Sequence, residues 1–138
     1  QDLERQRGEK TVVQDRTIFE DAEVFAAYLH RRGHINDRDW GVYNDLYQTI
    51  LSSLKPPDLM IYLKASVRTI TKRIKLRGRP EEQAIPTAYL KSLNELYDTW
   101  FAGYKRSETL VIETDKLDYL NDMVDRLDVR KTIEAHLK

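Results

Sequence analysis

Cysteine is absent from the 138 residues of this chain, which excludes disulfide bonds and thiolate metal sites. Histidine occurs only 3 times, and although His30 and His34 lie four residues apart, we expect no metal-binding or catalytic role for any of the three. No apolar run approaches the ~20 residues that a membrane span requires, and the first residues are too polar for a secretion signal. Lys plus Arg and Asp plus Glu both number 23, so no net field attracts nucleic acid or an anionic membrane. We expect a soluble cytoplasmic protein whose anion chemistry depends on a local group of arginines.

Glycine-rich phosphate loops are also absent. The 5 glycines are isolated from one another, and no G-x-x-x-x-G-K-[ST] sequence occurs, so the usual backbone cradle for β- and γ-phosphates is not encoded here. The chain opens with Gln1 in a polar, helix-compatible stretch that Gly8 ends. We therefore expect the chain to be part of a longer protein, with its front missing.

Three short apolar runs, separated by amphipathic stretches, predict strands that alternate with helices. The runs lie at residues 11–13, 58–63 and 109–112, and the last two have the continuous apolar character of strands buried on both faces. Strands separated by helices predict an α/β fold with a parallel sheet and helices on both faces. Three strands would make a small sheet of this kind, so we expect further strands upstream, and we treat residues 1–138 as a single domain.

Capping residues indicate where the helices begin and end. Asn36 or Asp37 suits the start of the second helix, Ser66 the start of the third, and Gly78 its end. Trp40, Trp100 and Phe101 are expected in the core. The final helix, from about residue 121, is expected to turn four apolar side chains inward: Met123, Val124, Leu127 and Ile133.

Charged residues follow two of the predicted strands. Asp15 and Arg16 come after the first, and residues 113–115 come after the third. In open parallel sheets, ligands bind outside the carboxyl ends of the strands. An acid beside an arginine at such an end suits a metal–phosphate group and can orient a hydroxyl. The alternative is a structural ion pair or a loop charge.

Three arginines cluster near the middle of the chain. Arg73 and Arg77 are four residues apart and share a helix face, and Arg79 follows a glycine that lets the chain turn. Three guanidinium groups that converge would suit a polyphosphate in a lid that closes over it. Glu81 and Glu82 could neutralise these arginines at rest. The alternative is a solvated helix end laced with ion pairs.

An acid and an aromatic ring lie on one helix face. Asp21 precedes Phe25 by four residues, so its carboxylate can pair with a nucleobase amino group while the ring stacks on the base. The alternative is that Phe25 and Tyr28 are core residues.

Three segments together resemble the deoxyribonucleoside kinases. Segment 15–21 (DRTIFED), with Phe25 behind it, is similar to the acid-Arg-Ser motif and the following helix of that family. Segment 57–63 (PDLMIYL) resembles its central strand, and segment 73–86 (RIKLRGRPEEQAIP) its lid. Thr17 stands where serine is more frequent. The resemblance covers nearly the whole chain in order.

This resemblance implies a fold and a reaction. The fold is the carboxyl-terminal two-thirds of a P-loop-kinase-like, three-layer parallel sheet, with the lid at about residues 73–85. The reaction is transfer of the γ-phosphate of ATP, with Mg²⁺, to the 5′-hydroxyl of a deoxynucleoside in nucleotide salvage. An acid facing the base edge suits adenine, guanine or cytosine better than thymine, and among these we expect a purine deoxynucleoside.

Residue roles follow from the same resemblance. Arg16 would orient the 5′-hydroxyl and the phosphoryl region, and Asp15 would place the metal, often through water. Phe25 would stack on the base and Asp21 would bond its edge. The lid would supply the remaining contacts: Glu82 to the 3′-hydroxyl, and Arg73, Arg77 and Arg79 to the phosphates and the charge in transfer.

Two family elements have no counterpart here: the phosphate-binding loop, and the carboxylate that acts as general base. Both would precede Gln1, so we expect these residues alone to phosphorylate nothing. In the intact enzyme we expect a homodimer, paired through the helices at about Asp21–Arg32 and Asp39–Leu54.

Two other classes of protein remain open. One is another P-loop kinase, such as a nucleoside monophosphate kinase, which would need further basic residues near Arg16. The other is a non-catalytic interaction domain that retains the fold. A glycine-rich loop upstream of Gln1 would favour an enzyme.

Overall fold

Strands and helices alternate along the chain in a computed structural model that describes residues 12–118 and 121–136. Within these ranges the first helix, α1, comprises residues 18–31. The other elements, in chain order, are α2 (Asp37–Ser53), β1 (Leu59–Lys64), α3 (Val67–Arg77), a short 3₁₀ turn (Pro80–Glu82), α4 (Thr87–Gly103), β2 (Glu108–Glu113) and α5 (Met123–Glu134). This order confirms the α/β class.

The two described strands run parallel, with Leu59 opposite Glu108 and Lys64 opposite Glu113. Helices α3 and α4 form the crossover between them, as a parallel pair requires. Side chains alternate along a strand, so Met60 points to one side of the sheet and Leu110 to the other. Both are buried, but Val111, on the Met60 side of the sheet, is 45% exposed, and the other β2 side chains on that side are exposed as well. The expectation that β2 is buried on both faces is therefore wrong.

The run at residues 11–13 was expected to form a strand, and its described part does not. Thr11 lies outside the described residues, while Val12 and Val13 have irregular backbone. The side chain of Val13 is 91% exposed. A β-branched run becomes a strand only where a neighbouring strand exchanges backbone hydrogen bonds with it, and no described strand lies beside these two residues.

The core lies where α1, α2, β1 and α4 meet. Phe19 from α1 is its central aromatic residue: its ring centroid lies 6.2 Å from that of Trp100 and 5.4 Å from that of Tyr104. Phe101 packs against the same cluster, so the core assignment of Trp100 and Phe101 is confirmed. Trp40 instead stacks on His30, with ring centroids 4.8 Å apart.

The capping residues that the sequence indicated are in place. The side-chain oxygen of Asn36 accepts a hydrogen bond from the Asp39 amide at 2.9 Å, and Ser66 accepts one from the Thr69 amide at 3.3 Å. Gly78 ends α3 in the left-handed conformation, with φ of 69°, which favours glycine. The boundaries of α2 and α3 are thus set by local sequence.

The final helix differs from the expectation. Met123, Val124 and Leu127 are 66%, 64% and 48% exposed, and no residue of α5 is buried, so the prediction that they face inward is wrong. Asp122 caps the helix by accepting from the Val124 amide at 2.8 Å. The helix therefore forms from its cap and its own hydrogen bonds, without a described surface opposite its apolar stripe. Among the described helices, none is both long and apolar enough to cross a membrane.

Candidate functional site

Arg16 occupies an unusual backbone position directly before α1. Its φ is 61°, in the left-handed region, which disfavours side chains other than glycine. Thr17 behind it is the N-cap of α1, because its hydroxyl accepts from the Phe19 amide at 3.2 Å. The Glu20 carboxylate reaches back to the Thr17 amide at 2.7 Å and completes a capping box. The start of α1 is therefore fixed locally, and Arg16 is left to turn back over the helix.

The side chain of Arg16 lies over an aromatic ring of α1. Its guanidinium carbon is 5.1 Å from the ring centroid of Phe25, within the range of a cation–π contact. Residues Asp21–Ala26 form a π-helical turn, a widened geometry that is frequent at functional sites. This turn carries both Asp21 and Phe25. Asp21 is exposed and Phe25 is half-buried.

Tyr97 of α4 completes this group. Its ring meets that of Phe25 edge to face, with centroids 6.3 Å apart. Burial raises the pKa of the Tyr97 hydroxyl, and the nearby carboxylates of Glu20, Asp21 and Asp15 raise it further, against the opposing charge of Arg16. We call these five residues the Arg16 cluster: Asp15, Arg16, Asp21, Phe25 and Tyr97. Four of these five were predicted site residues, and the structure brings them together.

Tyr97 was missed by sequence reasoning as a site residue. Its spacing in α4 marks it as one of several core-facing aromatics, and that assignment is compatible with its ring contacts. Helical periodicity identifies the face of a helix but not which hydroxyl on that face meets charged groups of a distant segment. No signal in the sequence would have separated Tyr97 from its neighbours.

The lid, defined as residues 73–85, holds two of the predicted arginines on one carboxylate. Arg77 contacts Oε2 of Glu82 through Nη2 at 2.6 Å and Nε at 2.9 Å. Arg79 lies 3.6 Å from Oε1 of the same residue. The expectation that Glu81 and Glu82 neutralise the arginines at rest thus holds for Glu82 with Arg77 and Arg79, but not for Glu81. Glu81 makes no hydrogen bond or ion pair with any described residue.

Arg73 is engaged elsewhere. Its guanidinium donates to the hydroxyl of Thr114 at 2.9 Å, to the Thr114 carbonyl, and to the Leu117 carbonyl at 3.2 Å. The expected convergence of three guanidinium groups is therefore absent from this structure. Shared helical spacing places Arg73 and Arg77 on one face, but Arg73 lies one turn earlier and finds backbone acceptors after β2.

The side chains that follow β2 bond to neighbouring backbone groups of the fold. Thr114 is 2% exposed, and its hydroxyl donates to the Lys64 carbonyl at 2.9 Å. Asp115 accepts from the Ser66 amide at 2.7 Å, and this bond is the main cause that lowers the pKa of Asp115. For residues 113–115, the loop-charge alternative thus describes the observed contacts: they join the ends of the two strands to the start of α3.

The Arg16 cluster and the lid are separate groups in this structure. Within the described residues, no hydrogen bond or ion pair joins them. Helix α4 links the two, because Tyr89, close behind the lid, meets Tyr28 of α1 with ring centroids 5.0 Å apart, and Tyr97 meets Phe25. A groove of about 420 Å³ lies apart from both groups, between α1, α2 and the end of α4.

Metal binding by protein side chains alone has little support in the described part of the chain, where no three His, Cys, Asp or Glu side chains come together as a metal site.

Comparison with known proteins places these features in a family. The deoxynucleoside kinase family model matches residues 1–138. A deoxyadenosine kinase of Lactobacillus acidophilus is 35% identical over 140 residues, which cover 94% of this chain and 64% of the relative. A deoxyguanosine kinase of Lactobacillus johnsonii is 36% identical over 135 residues, covering 91% of this chain and 60% of the relative.

A solved structure shows the same architecture. The chain superposes on the structure of deoxyadenosine kinase from M. mycoides with bound dATP at a TM-score of 0.69 and 26% identity, covering 99% of this chain and 65% of that one. This likeness confirms the P-loop kinase fold. The chain spans somewhat less than two-thirds of the length of the proteins it matches. With its sequence matched from end to end and its fold shared, this chain belongs to the deoxynucleoside kinase family.

Proposed function

We propose that the protein acts as a deoxynucleoside kinase, which transfers the γ-phosphate of ATP to the 5′-hydroxyl of a purine deoxynucleoside in cytoplasmic nucleotide salvage. Family membership supports the reaction. The purine preference is supported by Asp21, whose carboxylate suits a base edge that carries an amino group or ring N–H. The names of the deoxyadenosine and deoxyguanosine kinases among the relatives agree with that preference.

The observation that carries the proposal is the stack of Arg16 on Phe25. The guanidinium lies 5.1 Å from the ring centroid, so one short segment presents both a cation and an aromatic ring. A base stacked on Phe25 and held by Asp21 would place its sugar toward Arg16. The 5′-hydroxyl and the incoming phosphoryl group would then meet the guanidinium, which matches phosphate oxygens well.

The lid would supply the triphosphate contacts. Arg77 and Arg79 are each more than half exposed, so their side chains are accessible to a ligand. Arg73 would join them only after leaving its acceptors at Thr114 and Leu117. Glu82 would accept the 3′-hydroxyl of the sugar. Phosphoryl transfer depends mainly on positioning and on charge stabilisation, and arginines of this kind supply both.

Mg²⁺ fits the donor set of the chain only as a partner of the phosphates. The ion prefers octahedral oxygen ligands, and it is commonly held by one or two carboxylates together with phosphate oxygens and water. Asp15 is exposed beside Arg16 and is the carboxylate that would hold it. Bound there, the ion would neutralise charge on the transferred group.

A nucleoside titration tests the proposal. Deoxyadenosine, deoxyguanosine, deoxycytidine and thymidine would each be added to the ¹⁵N-labelled chain, and chemical-shift changes followed. We expect saturable changes at residues 16–25 and 97, with tighter binding of the purines. Phe25→Ala should weaken binding at least about fivefold, because base–aromatic stacking contributes about 1–3 kcal/mol. Tyr28→Phe is the matched control. No saturable change with any of the four nucleosides would refute the proposal.

A homodimer is the second part of the proposal. Val42 and Leu46 lie four residues apart on α2 and are 66% and 59% exposed, so they form an apolar stripe on the solvent side of a helix whose other side packs in the core. We propose that this stripe contacts a second copy. Sedimentation equilibrium should show a dimer that the double change Val42→Glu and Leu46→Glu converts to monomer. A monomer at every concentration of the unaltered chain would rule it out.

A further inference from the structure

The ion pairs in the lid have one feature that sequence spacing does not explain. Arg77 and Arg79 are both directed at Glu82, at 2.6 Å and 3.6 Å, while the adjacent Glu81 has no partner within the described residues. The Glu82 side chain is 18% exposed, against 51% and 59% for the two arginines. The better-shielded carboxylate is thus the one that both guanidinium groups share.

We propose that Glu82 is a positioning residue that competes with the phosphate chain for Arg77 and Arg79, and so sets the affinity of the lid for polyphosphate. The proposal rests on the proposed function, which assigns phosphate binding to these arginines. While Glu82 is paired with the two arginines, it offsets one of their two positive charges, and the local net charge is +1; without the Glu82 charge it would be +2. A single phosphate gains little from displacing the carboxylate, whereas a polyphosphate offers more charge and more oxygen atoms to both guanidinium groups.

The backbone of the lid is held independently of this exchange. The side-chain amide of Gln83 donates to the Ile74 carbonyl at 3.2 Å and to the Arg79 carbonyl at 3.1 Å. The Glu82 amide donates to the Arg79 carbonyl at 3.1 Å. Because these bonds involve no carboxylate, removing the charge of Glu82 leaves the turn in place. The arginine side chains are therefore free to change partner without unfolding the lid.

The strength of the pairs suits displacement. Partly exposed ion pairs contribute little, because solvent screens them and long side chains must be ordered to form them. A triphosphate can therefore displace Glu82, yet the competition still lowers the affinity for anions. Removing that competition should tighten polyphosphate binding by roughly three- to tenfold, the range expected for two such pairs.

The test compares four chains by titration calorimetry with inorganic tripolyphosphate at low salt. The chains are the unaltered protein, Glu82→Gln, the matched control Glu81→Gln, and the double variant Arg77→Ala with Arg79→Ala. We expect Glu82→Gln to bind roughly three- to tenfold more tightly. Glu81→Gln should bind as the unaltered chain does, and the double variant should bind more weakly. A gain of affinity is an outcome that simple damage to the fold does not produce.

The outcomes separate the two claims. If the double variant binds more weakly but Glu82→Gln matches the unaltered chain, the competition is refuted and phosphate binding by the arginines stands. If the double variant binds normally, or no chain binds, both claims are overturned. A second measurement needs no variant: the Nε–H signal of Arg77, which donates to Glu82 at 2.9 Å, should shift when tripolyphosphate is added. An unchanged signal at saturation would also overturn the proposal.

Discussion

The Arg16 cluster and the lid both present arginines, but they are built in opposite ways. Arg16 is placed by a capping box, a left-handed backbone position and a ring beneath it, and α1 is joined to the aromatic core through Phe19. Arg77 ends α3 and Arg79 follows it, and among the described residues their guanidinium groups pair with one carboxylate three to five residues away. The first arrangement is held by packing and the second by charge.

The two regions differ in how firmly their arginine side chains are held before a ligand binds. A cation packed on a half-buried ring has few alternatives, so its geometry exists before a ligand arrives, and this preorganisation favours recognition of a base and sugar. Exposed arginines paired with a carboxylate can exchange partners at little free-energy cost. Under the proposed function, the Arg16 cluster would position the nucleoside and the lid would enclose the phosphates.

The largest effect is expected for Phe19, the core residue that anchors α1 beside the Arg16 cluster. Phe19 is 7% exposed and contacts the rings of Trp100 and Tyr104. Phe19→Ala should lower the free energy of unfolding by about 3 kcal/mol or more, because it leaves a cavity among aromatic side chains. Urea denaturation measures this, with Phe19→Leu as a control that should lose less than half as much. A loss below about 1 kcal/mol would contradict the assignment of Phe19 to the core.

A smaller loss of stability is expected for Arg73. It lies in the lid segment, but its guanidinium binds the segment after β2. Arg73→Ala should lower the free energy of unfolding by about 2 kcal/mol, because it leaves the Thr114 and Leu117 carbonyls without a donor. Lys72→Ala is the control, since Lys72 is exposed on the same helix. Equal stability of the two variants would mean that Arg73 is not a structural bridge.

The cap of α1 should have an effect of intermediate size. Thr17→Ala removes the hydroxyl that accepts from the Phe19 amide and should cost about 1 kcal/mol of stability. Thr17→Ser keeps the hydroxyl and should cost much less. Thermal unfolding followed by circular dichroism distinguishes the two. If the alanine and serine variants unfold at the same temperature, the capping box does not position Arg16.

The smallest effect is expected in the lid itself. Arg77→Ala should change the free energy of unfolding by less than about 0.5 kcal/mol, because its side chain is 51% exposed and its ion pair is screened. Urea denaturation at low and at high salt should give nearly the same difference in the free energy of unfolding between the variant and the unaltered chain. A loss above about 1.5 kcal/mol would show that the lid is held as firmly as the core, and the contrast between the regions would fail.

Much of the fold follows from local sequence signals. Asn36, Ser66 and Gly78 set helix ends through their own side chains or backbone freedom, and the continuous apolar runs gave β1 and β2 to within one residue. Two predictions were wrong for a common reason: that the apolar stripe of α5 is buried, and that the run at Val12–Val13 forms a strand. Each pattern requires an opposing surface or a neighbouring strand, and the described residues provide neither.

The candidate site was only partly accessible from sequence. Asp21 and Phe25 are four residues apart, so helical spacing sufficed to pair them, whereas Arg16 precedes the helix and was linked to them only by the family resemblance. Arg73 binds different partners from Arg77 because it meets carbonyl groups more than forty residues further along the chain. No spacing rule identifies such acceptors. The contribution of Tyr97 depended in the same way on a helix that packs against α1.

The sequence by itself determined the alternation of strands and helices, the capping residues and the lid string, because each of these depends on neighbours a few positions away. The tertiary structure decided which arginines share a carboxylate, which one binds to backbone carbonyls, and which tyrosine lies among the acids. Those outcomes depend on distances between segments far apart in the chain, and such distances are set by packing rather than by the order of residues.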